Sequence, residues 1–201
     1  MFWDRAAIFY DFFVKYINRR THKALIKETE RIFNNSDIVL ECACGTGMLS
    51  VPAAKKCKHL TATDFSEKML KKAQKNCRKY TNASFIKADI FSLPFKDNSF
   101  DKVMAANVIH LLDEPMKALS ELCRVCKTGG RLIIPTYINR SESGKTNGFA
   151  RTVGKAGADF KQQFTFESYK EFFKNAGYGK ADYSLIEGRI PCALAVITIE
   201  K

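Results

Sequence analysis

Residues 38–50 constrain this chain more than any other stretch. A short apolar run, Ile38-Val39-Leu40, ends in Glu41 and breaks into the small-residue turn Cys42-Ala43-Cys44-Gly45-Thr46-Gly47. Helix-compatible residues resume at about Met48. That order is a strand, a tight glycine turn and a helix start, the opening of a parallel βαβ unit. Gly45 and Gly47 let the backbone adopt positive φ and pass close to a ligand, because no Cβ intervenes. A turn of this kind at the carboxyl end of a strand suits the polar part of a nucleoside.

What the turn lacks narrows the ligand. A dinucleotide turn reads G-x-G-x-x-G and seats a pyrophosphate on a helix N-terminus. Here Ala43 and Ser50 stand where glycines would be, and Glu41 sits at the lip. A carboxylate there repels a pyrophosphate and suits a ligand carrying an amino group and a sulfonium, which favours S-adenosylmethionine over NAD. The segment His59-Leu60-Thr61-Ala62-Thr63-Asp64 then reads as a second strand ending in an acid, 17 residues past Gly47. A βαβ unit places the acid that accepts hydrogen bonds from ribose hydroxyls at about this distance. Asp64 could instead cap the helix predicted over 66–80, but Ser66 serves as that cap equally well.

With these blocks the chain resembles the class I S-adenosylmethionine-dependent methyltransferases, and within them the small ubiquinone- and menaquinone-biosynthesis type. The resemblance covers residues 36 to 138 well and the rest loosely. Besides Glu41-x-x-x-Gly45-x-Gly47 and Thr63-Asp64, it rests on Lys87-Ala88-Asp89-Ile90 with Leu93-Pro94-Phe95, on Asn98-Ser99-Phe100-Asp101-Lys102-Val103, and on Lys127-Thr128-Gly129-Gly130-Arg131-Leu132. It implies a cofactor site made by Glu41, Ala43, Gly45, Gly47, Asp64, Phe65, Asp89, Ile90 and Asn107. In that family Asp89 would hydrogen-bond the adenine amino group, Ile90 would pack on the ring, and Asn107 would help hold the methionine end. Ala43 departs from the family, which has glycine there.

The strand and helix pattern agrees with an α/β fold. Strands are expected near 37–43, 59–63, 83–88, 101–106, 131–137, 181–187 and 192–200, and helices over 2–17, 20–33, 66–80, 114–126 and 166–176. Alternation of this kind implies a Rossmann-like, doubly wound, seven-stranded and mostly parallel sheet. The family pattern adds one antiparallel strand inserted at an edge, and Gly188-Arg189-Ile190-Pro191 reads as the hairpin connection before it. The chain is read as one domain over 1–201: a helical N-terminal cap (1–35), a cofactor-binding core (36–138), a lid-like glycine-rich loop (139–165), and a C-terminal helix and strand hairpin (166–201). The aromatic N-terminal helix and the 139–164 segment are the leftover pieces able to roof an acceptor site, since methyl transfer needs water excluded and the acceptor held in line.

Composition excludes several classes. With 46% hydrophobic and 27% charged residues the chain is an ordinary globular composition. The N-terminal 17 residues are broken by Asp4, Arg5, Asp11 and Lys15, so no signal peptide or spanning helix is expected, and the cytoplasm is the expected compartment. Seven cysteines, an odd set, read as free thiols. Cys42 and Cys44 are expected to face opposite ways, and the Cys123/Cys126 pair sits at a helix end whose dipole opposes thiolates, so neither metal nor redox chemistry is expected. Much of the net charge of +12 lies on one helix, where Lys68, Lys71, Lys72, Lys75, Arg78 and Lys79 oppose Met69, Ala73, Cys77 and Tyr80. Such a stripe could attract nucleic acid or an anionic membrane, but without interleaved aromatics it reads as a solvated face.

The acceptor is reached by exclusion. Asn107-Val108-Ile109-His110 does not match the Pro-Pro-aromatic pattern of nucleobase amino methyltransferases, and Pro191-Cys192 lies in the wrong place for a cytosine-C5 enzyme. A small, partly apolar or aromatic acceptor is expected, with His110, Tyr10 and Tyr137 as candidate catalytic side chains. The rival readings are an RNA-modifying methyltransferase using the basic face, and a module that binds S-adenosylmethionine without transferring its methyl group. The oligomeric state is open.

Overall fold

The computed structural model describes residues 16–140 and 161–200. Helix α1 (Arg19–Ile32) precedes β1 (Ile38–Cys42), α2 (Ser50–Lys56), β2 (His59–Asp64), α3 (Glu67–Cys77) and β3 (Ala83–Lys87). Then come β4 (Phe100–Ala105), a 3-10 turn (Ile109–Leu111), α4 (Pro115–Val125), β5 (Cys126–Tyr137), α5 (Phe166–Asn175), β6 (Ala181–Ile186) and β7 (Cys192–Thr198). Most of the N-terminal helix expected over 2–17 and most of the 139–165 segment lie outside the described residues.

The seven strands form one sheet in the order β3-β2-β1-β4-β5-β7-β6. β1 to β5 are mutually parallel, and β7 is antiparallel to both β5 and β6. The one antiparallel strand thus sits one place in from the edge, and β6 behind it again runs with the first five. The reversal of strand order between β1 and β4 leaves a crevice at the carboxyl ends of the strands, where open α/β sheets bind ligands.

Side chains alternate across the sheet and build two cores. Val39, Leu60, Ala62, Met104 and Ile133 face a layer made by Leu25 of α1, Ala53 and Ala54 of α2, and Leu70 and Ala73 of α3. Leu40, Val103, Leu132 and Ile134 face Leu119 and Leu122 of α4 and Tyr169 and Phe173 of α5. Cys42 and Cys44 fall in opposite cores although residues two apart on a strand share a face, because β1 ends at Cys42 and Ala43, at φ +53°, turns the chain before Cys44.

Local chemistry sets the helix starts. Ser66 caps α3 by accepting the Met69 N–H at 3.2 Å. Pro115 occupies the first position of α4, where its missing N–H costs nothing. Thr165 and Ser168 cap α5 reciprocally.

Two boundaries differ from the sequence reading. α3 stops at Cys77, so Tyr80 lies beyond it, and β5 begins at Cys126 rather than near 131. The early start depends on a glycine bulge: Gly129 has φ +76°, and a Cβ on Gly130 would stand 2.8 Å from the Asp101 carbonyl oxygen. The register accordingly slips between Phe100 and Lys102 of β4. Cys126 therefore belongs to the strand and does not share a helix face with Cys123.

Candidate functional site

The turn after β1 is held open by backbone geometry that few residues tolerate. Ala43, Gly45 and Gly47 have φ of +53°, +56° and +81°. Gly45 needs glycine for its conformation alone, since a Cβ there meets nothing within 4 Å, whereas a Cβ on Gly47 would come within 2.9 Å of Ala73 Cα in α3. The turn lies directly on α3 as a result, and the Asn76 amide secures it by donating to the Thr46 carbonyl at 2.8 Å.

Asp64 organises the same turn from the end of β2. One carboxylate oxygen accepts the Gly45 N–H at 2.8 Å and the other accepts the Ser66 N–H at 2.9 Å. The Cys44 N–H reaches the Thr63 carbonyl at 2.9 Å, so the end of β1 is laced to the end of β2. On the other side Asn107, also at positive φ (+53°), follows β4. Its side-chain oxygen accepts the Tyr137 N–H at 2.9 Å and its own N–H donates to the Pro135 carbonyl at 2.7 Å. Asparagine suits the left-handed region because its short polar side chain can bond locally.

Between these groups lies a cavity of about 360 Å³. Its lining includes Glu41, Ala43, Gly45, Asp64, Phe65, Asp89, Ile90 and Asn107, so all the residues expected at the cofactor site except Gly47 meet on one void. Gly47 supports it from below through its contact with α3. Asp89 caps its own turn, accepting the Phe91 N–H at 3.0 Å.

The electrostatics of the void centre on Glu41. The side chain is only 2% exposed and accepts a hydrogen bond from the Ser50 hydroxyl. Burial pushes its carboxyl up to about 8, against the opposing effect of that hydrogen bond and with a smaller contribution from the nearby Asp64 charge. A buried acid of this kind is stabilised as a carboxylate by a cation beside it. The donor set therefore suits a ligand with positive charge near Glu41, hydroxyls near Asp64 and a flat apolar ring near Ile90.

Of the candidate catalytic side chains, Tyr10 lies outside the described residues. His110 is 4% exposed within the 3-10 turn and Tyr137 is buried at the end of β5, and neither lines the cavity. Burial holds the His110 imidazole down to about 4.

A different histidine faces the void. His22, on α1, lines it together with Leu25 of the same helix, and burial lowers its imidazole to about 4. It is therefore neutral at physiological pH, with one N–H donor and one lone pair to offer. Sequence reasoning missed it because the periodicity of α1 shows an apolar stripe but not which cavity that stripe closes. Leu111, Leu112, Met48 and Val108 supply the apolar wall.

The seven cysteines take part in no disulfide, and among the described residues no group of three or more His, Cys, Asp or Glu side chains is placed to hold a metal. Burial pushes the Cys42 and Cys192 thiols up to about 12. Among the described residues no helix is long and apolar enough to cross a membrane.

Comparison with known proteins gives a consistent result. Residues 40–134 match the model of a methyltransferase domain family. The chain is 41% identical over 96 residues to a demethylmenaquinone methyltransferase of Clavibacter sepedonicus, covering 48% of this chain and 39% of that protein. It is 29% identical over 188 residues to a ubiquinone/menaquinone biosynthesis C-methyltransferase of Rickettsia rickettsii, covering 80% and 75% respectively. It superposes on magnesium protoporphyrin IX methyltransferase of Synechocystis PCC 6803, solved with bound S-adenosylhomocysteine, with a TM-score of 0.65 and 21% identity, over 88% of this chain and 83% of that one. The chain spans about two fifths of the length of the demethylmenaquinone methyltransferases it matches.

Proposed function

We propose, from the match of residues 40–134 to a methyltransferase domain family, that the chain is a class I S-adenosylmethionine-dependent methyltransferase that binds S-adenosylmethionine in the cavity beside Glu41 and methylates a small acceptor with an apolar or aromatic body. A demethylated quinone ring is the leading class, in keeping with the names of its relatives. The observation that carries the reading is the buried Glu41 carboxyl on a cavity that also gathers Gly45, Asp64, Asp89 and Asn107.

When bound, the cofactor supplies an electrophilic methyl group on a sulfonium. The chain's own residues bind and orient. Glu41 balances the positive charge of the methionine end. Asp64 presents to ribose hydroxyls the same carboxylate whose oxygens accept the Gly45 and Ser66 N–H groups and hold the glycine turn. Asp89 and Ile90 take the adenine, and Phe65 and Ala43 complete the walls. His22, Leu25, Leu111 and Leu112 face the remaining space, where a neutral imidazole can hydrogen-bond the polar end of an acceptor whose ring lies on the leucines. Excluding water and aligning the acceptor account for most of the rate such a site can supply.

Calorimetry with S-adenosylmethionine, S-adenosylhomocysteine and NAD tests the cofactor, and transfer of a labelled methyl group to demethylated quinones tests the acceptor. The first two ligands should bind and NAD should not. Asp64→Ala should weaken binding by about 1–3 kcal/mol through loss of charge-assisted contacts. NAD binding with no response to the other two would remove the assignment.

A further inference from the structure

The sequence placed the basic residues on one helix, but the fold places three helices side by side on one face of the sheet, α1 against α2 and α2 against α3. Together these helices carry eleven lysines and arginines against three glutamates. Ten of the eleven are exposed, and Lys58, Arg78 and Lys79 extend the layer beyond the helix ends. The opposite layer, α4 and α5, carries four against three. Among the described residues the helix charge is therefore polarised across the sheet. Local pairing does not cancel it: on the basic layer Arg31 meets Glu28 and Lys87 reaches across to Glu67, which still leaves a large excess of cations.

We propose that this α1–α2–α3 face adsorbs onto an anionic phospholipid surface. Three features select lipid over other anionic partners. Charge is spread over three neighbouring helices rather than gathered on one. Helices α1, α2 and α3 contain no Phe, Tyr or Trp, and the exposed aromatics Tyr16 and Phe65 lie singly before α1 and α3, so no row of rings is interleaved with the charges for bases to stack on. Protein interfaces are depleted of lysine and centred on apolar and aromatic side chains, whereas this face is lysine-rich with its apolar residues turned into the core. Clustered lysines and arginines bind anionic headgroups without needing a specific contact, each contributing about fivefold to the partition at ordinary salt. Phe65, 51% exposed, lines the cavity and lies two residues before α3, so the rim of the site borders the basic layer. The inference rests on charge placement and stands apart from the proposed methyl transfer.

The test is co-sedimentation of the full chain with phosphatidylcholine vesicles, with and without phosphatidylglycerol, over a range of salt. Binding is expected only with the anionic lipid and should fall steeply as salt rises. The combined variant Lys68→Gln, Lys71→Gln, Lys75→Gln should lose about a hundredfold in partition. The equal charge change Lys117→Gln, Lys170→Gln, Lys174→Gln on the opposite layer should lose only a few-fold. Binding of S-adenosylhomocysteine, measured on each variant, should be unchanged and certifies folding independently of catalysis. Equal binding to neutral vesicles, equal loss in the two triple variants, or capture by single-stranded RNA at salt that already releases the vesicles would each overturn the proposal.

Discussion

Glu41 is the residue whose chemistry most depends on what fills the cavity. Its carboxyl is raised from its ordinary value to about 8 by burial, so between the two values the folded chain holds a proton that the unfolded chain has released. Stability must then fall as pH rises through that window, because the unfolded state binds fewer protons. A cationic ligand reverses the preference, favouring the carboxylate and expelling the proton. Affinity for S-adenosylmethionine should consequently climb with pH up to about 8 and then level. Calorimetry in buffers of different ionisation enthalpy should record a proton released on binding at pH 7. Glu41→Gln keeps an acceptor for the Ser50 hydroxyl, so it should flatten both the stability and the affinity profiles. A wild-type profile already flat across this range, or a Gln variant with the same slope, would show that another group is responsible.

At the scale of elements, the turn between β1 and α2 shows what the sequence discloses and what it conceals. Asp89 came only from the resemblance to a family, whereas the strand, the two glycines and the acid at Asp64 were legible from periodicity and from the backbone freedom that only certain residues give. All seven strands and the hairpin before β7 were legible for the same reason. The contacts made by distant segments were not. His22 comes to the cavity only because α1 packs on α2, and the Ser50–Glu41 hydrogen bond joins a helix start to a strand end. The early start of β5 was hidden by Gly129-Gly130, which reads as a turn and folds as a bulge. Ala43 is a further case: sequence shows it as a small departure from glycine, and the structure shows it at φ +53°. A left-handed alanine costs about 1–2 kcal/mol, while glycine gives back about 0.5–1 kcal/mol through its more flexible unfolded chain. Ala43→Gly should therefore stabilise the protein by about 0.5–1 kcal/mol, or about 1–4 °C in Tm for a chain of this size. A lower Tm in thermal unfolding of the variant would mean that the alanine methyl makes contacts worth more than its strain.

For the molecule as a whole, the question is whether the cofactor half stands alone. The cavity is lined by residues between 22 and 112, and the family match ends at residue 134, so the C-terminal portion could be an appendage. The sheet argues otherwise. β7 pairs with β5 from Arg131–Thr198 to Tyr137–Cys192, and it lies inside the sheet rather than at its rim. Removing α5, β6 and β7 would strip Tyr169, Phe173, Leu194 and Ile197 from the two cores and expose the full edge of β5. Burial of a large apolar side chain contributes about 1.5–3 kcal/mol, so these four alone account for roughly 6–12 kcal/mol. That is comparable with the entire stability of a typical domain, about 5–15 kcal/mol. The bare β5 edge would also be an open template for pairing with other chains. A chain ending at residue 140 should accordingly show no cooperative thermal transition, bind S-adenosylhomocysteine undetectably and aggregate. Circular dichroism melts and calorimetry on that truncation check this. If it melted cooperatively and kept cofactor affinity within a few-fold of the whole chain, the antiparallel strand would be an ornament on an independent nucleoside-binding unit rather than part of what holds the site in shape.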